Sequence, residues 1–189
     1  MSVWFTSDPH FGHRMVAGLR GFATTEEHDE ALVKNWTKVV KKGDSIWVLG
    51  DIAVSSPVAA LEIIAALPGD KHLIAGNHDG CHPMHRSSHR EQRRYLGSFA
   101  SVQPFARQRW AGQEFLLSHF PYAKDRHESR YMEYRLRDEG MWLLHGHTHD
   151  KDQRLEGREI HVGTDAWDLS PVSLDTILAL RKEAESRKE

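Results

Sequence analysis

Aspartate, asparagine and histidine recur in this sequence in short groups beside glycine: Asp8-Pro9-His10, Gly50-Asp51, Gly76-Asn77-His78-Asp79 and Gly146-His147-Thr148-His149, with His119 standing apart. Aspartate supplies a hard anionic oxygen, and neutral imidazole is the commonest nitrogen donor for transition metals, so these types together suit a divalent-cation site. The Asp-x-His and His-x-His spacings let two donors leave one loop toward a shared point. Gly50, Gly76 and Gly146 each precede a donor, where a residue without Cβ lets the chain turn sharply. Taken singly, Asp8-Pro9-His10 and Gly50-Asp51 read as ordinary turns. Gly76-Asn77-His78-Asp79 is more specific, and the Gly-His-x-His run more so, because two imidazoles beside a glycine seldom serve only to fill a core.

Each group follows an apolar run. Residues 3–6, 45–49 and 72–75 read as buried strands ahead of Asp8, Asp51 and Asn77; residues 114–117 precede His119, and residues 142–144 precede His147. The loops past the C-terminal ends of strands in α/β sheets are where ligands bind, because rigid strands hold converging loops there. Between the runs lie amphipathic segments. Residues 24–41 predict a helix: Thr24 and Glu27 have the capping-box spacing, and Leu32, Val33, Trp36, Val39 and Val40 share a face. Ser56-Pro57 starts a second helix, with Val58, Leu61, Ile64 and Ala65 as its buried stripe and Pro68-Gly69 as its stop. The polar stretch 81–94 turns helical from Ser88. Residues 101–106 and 114–117 predict a hairpin around Ala111-Gly112. A strand over 159–162 and a strand or closing helix over 173–181 follow, then a frayed charged tail over 181–189. The alternation predicts one mixed α/β domain over residues 1–189, without repeat or linker.

Composition narrows the chemistry. Among 189 residues, Lys and Arg number 25 against 27 Asp and Glu, so the formal charge of -2 provides no global attraction for nucleic acid. The single cysteine, Cys81, excludes an internal disulfide and a thiolate-rich zinc site, and reads as a small buried thiol. No apolar stretch approaches the roughly 18 residues that span a bilayer, so the expectation is a soluble, cytoplasmic protein without membrane or obligate protein partner. The excess is histidine, at 14 residues. His28, His127 and His161 read as surface imidazoles; His13, His82, His85 and His145 read as surface or internally satisfied ones. His13 stands out among them because it follows His10 by three residues in a glycine-containing loop.

Taken in order, these groups resemble the signature of the calcineurin-like metallophosphoesterase superfamily: Asp-x-His, Gly-Asp, Gly-Asn-His-Asp/Glu, a later His, and Gly-His-x-His. The opening Ser7-Asp8-Pro9-His10-Phe11-Gly12-His13 is similar to that of small bacterial and phage phosphoesterases. The resemblance implies two mixed β-sheets packed face to face and flanked by helices, with a dinuclear centre at one edge. It implies Asp8, His10 and His149 around one divalent ion, Asn77, His119 and His147 around the other, and Asp51 bridging them. A hydroxide held between the ions then attacks phosphorus in line. His78 is implied to be the catalytic imidazole that protonates or stabilises the leaving oxygen. Asp79 is expected either to orient an imidazole or to be a turn residue, and His13 to touch substrate or a ligand. Manganese is the preferred ion; iron, zinc, cobalt and nickel suit the same donors.

For substrate, Gly50-Asp51 is followed by Ile52, Ala53, Val54 and Ser55, not by the Asp-Arg of protein phosphatases in this superfamily, and this also removes an acidic partner for His78. Two basic stretches border the motifs: Arg86, Arg90, Arg93 and Arg94, and then Lys124, Arg126, Arg130, Arg135 and Arg137 interleaved with Tyr122, Tyr131 and Tyr134. Arginine forks match phosphate and tyrosine stacks on bases; alternatively, both stretches are solvated surface. The preferred expectation is a phosphodiesterase for small or cyclic nucleotide-like diesters. Phosphomonoesters and nucleic-acid ends are the nearest rivals, and a catalytically silent metal-binding scaffold is the rival of another class.

Overall fold

The computed structural model describes residues 1–54, 56–122, 130–153 and 157–187. Two sheets carry the molecule. The first has the order β4-β3-β2-β1-β9, built from β1 (Val3–Thr6), β2 (Ser45–Val48), β3 (Asp70–Ile74), β4 (Ser101–Gln103) and β9 (Val172–Ser173). Its first four strands run parallel and only β9 is antiparallel. The second has the order β5-β6-β7-β8, from β5 (Phe105–Trp110), β6 (Gln113–Ser118), β7 (Trp142–His145) and β8 (Glu159–His161). Here β5 and β6 form a hairpin, while β6, β7 and β8 are parallel.

Residues along a strand alternate between faces, and the first sheet uses both for cores. Ile46, Val48 and Leu73 turn to one side, against Leu32, Trp36, Leu61 and Ile64 of the helices α2 (Thr25–Val39) and α3 (Val58–Ala66). Phe5, Trp47, Leu49 and Ile74 turn to the other, against Phe115, Leu117, Trp142, Leu144 and Ile160 of the second sheet. Trp110 joins the layers, its ring 5.2 Å from Phe5 and 6.2 Å from Trp47. The expected arrangement of two mixed sheets packed face to face and flanked by helices is therefore the one observed.

Several local readings change. The capping box forms at α2: Thr24 Oγ1 accepts from Glu27 N at 3.2 Å, while the Glu27 carboxylate takes the N–H of Ala23 at 3.1 Å. A short helix without a side-chain cap, α1 (Arg14–Leu19), goes unpredicted between β1 and α2. On α3 the buried residues are Ala60, Leu61 and Ile64; Val58 is 49 % exposed and Ala65 is also exposed, because only one side of this helix meets the sheet. The expected hairpin of 101–106 with 114–117 divides at Pro104. Residues 101–103 pair in parallel with β3, and only the chain from Phe105 onward pairs with β6, since proline lacks the N–H that a continuous ladder requires. The hairpin's turn has Ala111 and Gly112 both at positive φ, as a two-residue type I′ turn demands.

The polar stretch becomes helical as expected at α4 (Ser88–Tyr95). The tail does not begin at 181: α5 runs Leu174–Ser186, capped by Ser173 and buried through Ile177 and Ala184. Arg181 lies over the rings of Phe115 and Trp142, so its long side chain covers apolar surface rather than fraying into water. Among the described residues no helix is long and apolar enough to cross a membrane.

Candidate metal centre

Parallel pairing brings the C-terminal ends of β1, β2 and β3 to one edge, and those of β6, β7 and β8 to the edge facing it. A β-bridge between Ser7 and Gly163 stitches the two edges together. The loops leaving them hold one another through backbone hydrogen bonds: Asp8 N to Gly50 O at 3.0 Å, His10 N to Asp51 O at 3.1 Å, and Gly146 N to His119 O at 3.0 Å. The turns are tight. Asp8, His10, Asp51, His147 and His149 all have positive φ, a backbone region that costs a non-glycine residue on the order of 1 kcal/mol or more and is characteristic of functional sites. Gly76 and Gly146 serve close approach: a Cβ on the former would meet Asp51, and on the latter Ser7 and Asp8.

This geometry gathers the expected donors into two pockets. In the first, His10 Nε2 lies 3.2 Å from His149 Nε2 and 4.0 Å from Asp8 Oδ1, which is 3.9 Å from His149 Nε2. Donors around one ion at about 2.1 Å stand no more than about 4.2 Å apart, so this trio already has the spacing of a coordination shell. Asp8 is fully buried, and its Oδ1 has no hydrogen-bond partner. A buried carboxylate oxygen left so is costly unless something positive takes it. In the second pocket, ligand atoms of Asp51, His119 and His147 lie within 4.8 Å of one another, and Asn77 Oδ1 is 3.0 Å from His119 Nε2. Asp51 stands between: its Oδ2 is 3.4 Å from His119 Nε2 and 3.9 Å from His10 Nε2, while its Oδ1 accepts the His78 backbone N–H at 2.8 Å. The hard oxygens and imidazole nitrogens fit two divalent cations.

Charges in the pockets answer one another. Burial pushes the Asp8 carboxyl up, but the imidazoles of His119, His149 and His10 overcome it and hold its pKa down to about 2. Burial lowers His119, but Asp51 raises it to about 9. His10 is depressed to about 3, mainly by burial, which leaves it the neutral imidazole that a metal needs.

His78 belongs to neither donor group but borders both, with its side chain 42 % exposed, Nε2 4.0 Å from Asp51 Oδ2 and its ring 5.7 Å from that of His10. His13 is half-buried, its ring 5.6 Å from that of His10. Asp79 makes none of its hydrogen bonds to an imidazole. Its buried carboxylate receives the backbone N–H groups of Asp51, Ile52 and Gly76 at 2.8–3.1 Å, clamping the second and third loops together. Burial, with the nearby charge of Asp51, raises its pKa to about 7 against the pull of the Gly76 and Ile52 amides.

Of the remaining histidines, His28 and His161 are fully buried, contrary to the surface reading: His28 sits inside a polar network, and the His161 ring lies tilted 5.3 Å from that of buried His145. His82 is buried against Phe120 and Tyr134, and His85 Nε2 supports the Asn77 carbonyl at 3.0 Å. Cys81 is buried, as expected. Arg90, Arg93 and Arg94 lie exposed along α4, with Arg94 paired to Glu91, and Arg86 lies exposed just before the helix. Lys124, Arg126 and His127 fall outside the described residues. Tyr131, from the same basic stretch, borders the second pocket, its ring 5.6 Å from His147 and 5.2 Å from Phe120.

Two residues of the site escape the motif reading. His149 Nδ1 donates to Asp165 Oδ2 at 2.9 Å, and Arg20 closes on the same carboxylate. Asp165 follows the end of β8, so the strand-end rule that locates the other ligands points to it as well.

Residues 1–164 match the family model described as the calcineurin-like phosphoesterase superfamily domain. The chain is 45 % identical over 181 residues to the Gene 66 protein of Mycobacterium phage L5, covering 88 % of this chain and 87 % of that one. An uncharacterized protein of Methanocaldococcus jannaschii is 29 % identical over 188 residues, covering 94 % and 90 %. Among solved structures, a protein of unknown function from Aquifex aeolicus superposes with a TM-score of 0.72 at 26 % identity, covering 95 % of this chain and 98 % of that one.

Proposed function

We propose that this chain, which belongs to the calcineurin-like phosphoesterase superfamily and so to the metal-dependent phosphoester hydrolases, is a phosphodiesterase acting on small, linear or cyclic, nucleotide-like diesters. The observation that carries the reading is the pairing of two donor groups across Asp51, with the exposed edge of His78 beside the shared carboxylate. Asp8, His10 and His149 would hold one divalent ion and Asn77, His119 and His147 a second, with Asp51 shared, and the pair would supply Lewis acidity toward a phosphoryl oxygen and lower the pKa of water. Manganese is the ion proposed, and the cytoplasm the compartment.

The chain's own part is positional. Asp51 keeps Oδ2 toward the imidazoles because His78 N occupies Oδ1. His78 itself, open to solvent, meets the departing oxygen and gives it a proton or a hydrogen bond. Tyr131 offers a ring face at the rim, which supports an aromatic base on the substrate.

The reading is tested by hydrolysis of bis(p-nitrophenyl) phosphate beside p-nitrophenyl phosphate, with metal-stripped protein and with manganese restored. Manganese-dependent cleavage that favours the diester is expected. A monoester preference overturns the diester assignment, and no cleavage with manganese, iron, zinc, cobalt or nickel leaves the scaffold reading in its place. His78→Ala is expected to keep its metal content and lose turnover by about 10²–10⁴-fold.

A further inference from the structure

Arg20, at the C-terminal end of α1, is buried to 5 % side-chain exposure, and its guanidinium is the hub of a polar network beneath the first pocket. Nε and Nη2 grip both oxygens of Asp165, at 2.9 and 2.7 Å, in the forked geometry that makes arginine–carboxylate pairs strong. Nη2 also reaches the Asp8 carbonyl and Thr164 Oγ1, each at 2.8 Å, and Nη1 the Pro9 carbonyl at 3.2 Å. The remaining contact is Nη1 to His28 Nε2 at 2.9 Å. Arginine has no acceptor, so His28 Nε2 must be the accepting nitrogen and its proton sits on Nδ1, which donates to Asp29 Oδ1 at 2.9 Å. Asp29 in turn takes the N–H of Gly12.

The network thus touches the loop that carries Asp8 and His10 at Asp8, Pro9 and Gly12. It also reaches the third ligand, because Asp165 Oδ2 accepts from His149 Nδ1 at 2.9 Å. A proton held on Nδ1 leaves the lone pair of His149 on Nε2, the nitrogen that faces Asp8 Oδ1 and His10 Nε2. In the second pocket the corresponding support is different: His119 Nδ1 meets the Leu49 carbonyl.

We propose that Asp165 and Arg20 are positioning residues for the first metal pocket alone, setting its affinity for a divalent cation independently of the second. This rests on the two-metal reading above. Carboxylates that orient metal-binding imidazoles typically govern affinity by 10–100-fold.

The test is manganese titration of metal-stripped wild type, Asp165→Ala and Asp165→Asn by calorimetry, with electron paramagnetic resonance reporting whether the ions are paired. Wild type is expected to take two ions. Asp165→Ala should weaken one by about 10–100-fold, hold the other near wild-type affinity and lose the paired-ion spectrum. Asp165→Asn, which keeps an oxygen for His149 Nδ1, should fall between them, and it carries the test if the alanine variant does not fold. Imidazole nitrogen spectra of the metal-free proteins should show the Nδ1–H form of His149 giving way in Asp165→Ala. Two ions bound as in wild type, or both weakened equally, would overturn the proposal and leave the two-metal reading standing. A wild type that binds no pair of ions overturns both.

Discussion

In the second pocket His119 is fully buried and its Nδ1 rests on the Leu49 carbonyl at 2.7 Å, whereas in the first His149 keeps 39 % of its side chain exposed and rests on Asp165 at 2.9 Å. The backbone anchor comes with the end of β2 and is present whenever the sheet is. The carboxylate anchor is a tertiary contact, assembled from α1 and the loop after β8. A chain can therefore retune one pocket by single substitutions while the other stays as rigid as the fold.

The largest effect is expected where the comparison collapses. Asp51→Asn removes the charge common to both pockets, and metal analysis after dialysis should find neither ion retained; a variant keeping one ion would show that Asp51 belongs to a single pocket. Next come the paired deletions His119→Ala and His149→Ala. Each should lose one ion, but the former takes a buried partner from both Asn77 and Asp51 and should lower the stability of the metal-free protein by about 1–3 kcal/mol. The half-exposed His149 should cost less than about 1 kcal/mol, and equal losses in thermal melting would contradict the difference in anchoring. The smallest change is expected from Tyr131→Ala, which removes a ring packed on His147 at the rim. It should alter manganese affinity by about tenfold at most, the about 0.5–1.5 kcal/mol of an aromatic contact, and a titration showing loss of an ion would make Tyr131 part of the pocket.

The motif residues are legible in the sequence because their geometry is local. An apolar run ends, the chain turns, at a glycine ahead of Asp51, Asn77 and His147 and at Ser7 ahead of Asp8, and the next polar side chains lie at the sheet edge. The two-sheet architecture is legible through the family resemblance, although where the sheets divide is not. The residues at 101–106 read as one strand, and only the missing N–H of Pro104, set between neighbours from different sheets, shows why the chain crosses there. What composition hides is partnership across long separations. Arg20 and Asp165 are 145 positions apart, and His28 reads as an ordinary surface imidazole until α1 brings Arg20 against it. Asp79 illustrates the same limit at short range: its residue type suits either an imidazole partner or a turn, and its three bonds go to amides of its own and the neighbouring turn.

Neither pocket belongs to one sheet. Asp8 and His10 follow β1 while His149 follows β7, and Asn77 follows β3 while His119 and His147 follow β6 and β7. An ion in either pocket is therefore a further cross-link between layers joined there by the Ser7–Gly163 bridge, the Arg20–Asp165 network and the bond of His119 to the Leu49 carbonyl. Because the unfolded chain has no such assembled pockets, binding draws the folding equilibrium with it, by about 2.7 kcal/mol for an ion present at a hundred times its dissociation constant. Removal of metal is then expected to shorten the lifetime of the folded chain as well as to lower its turnover.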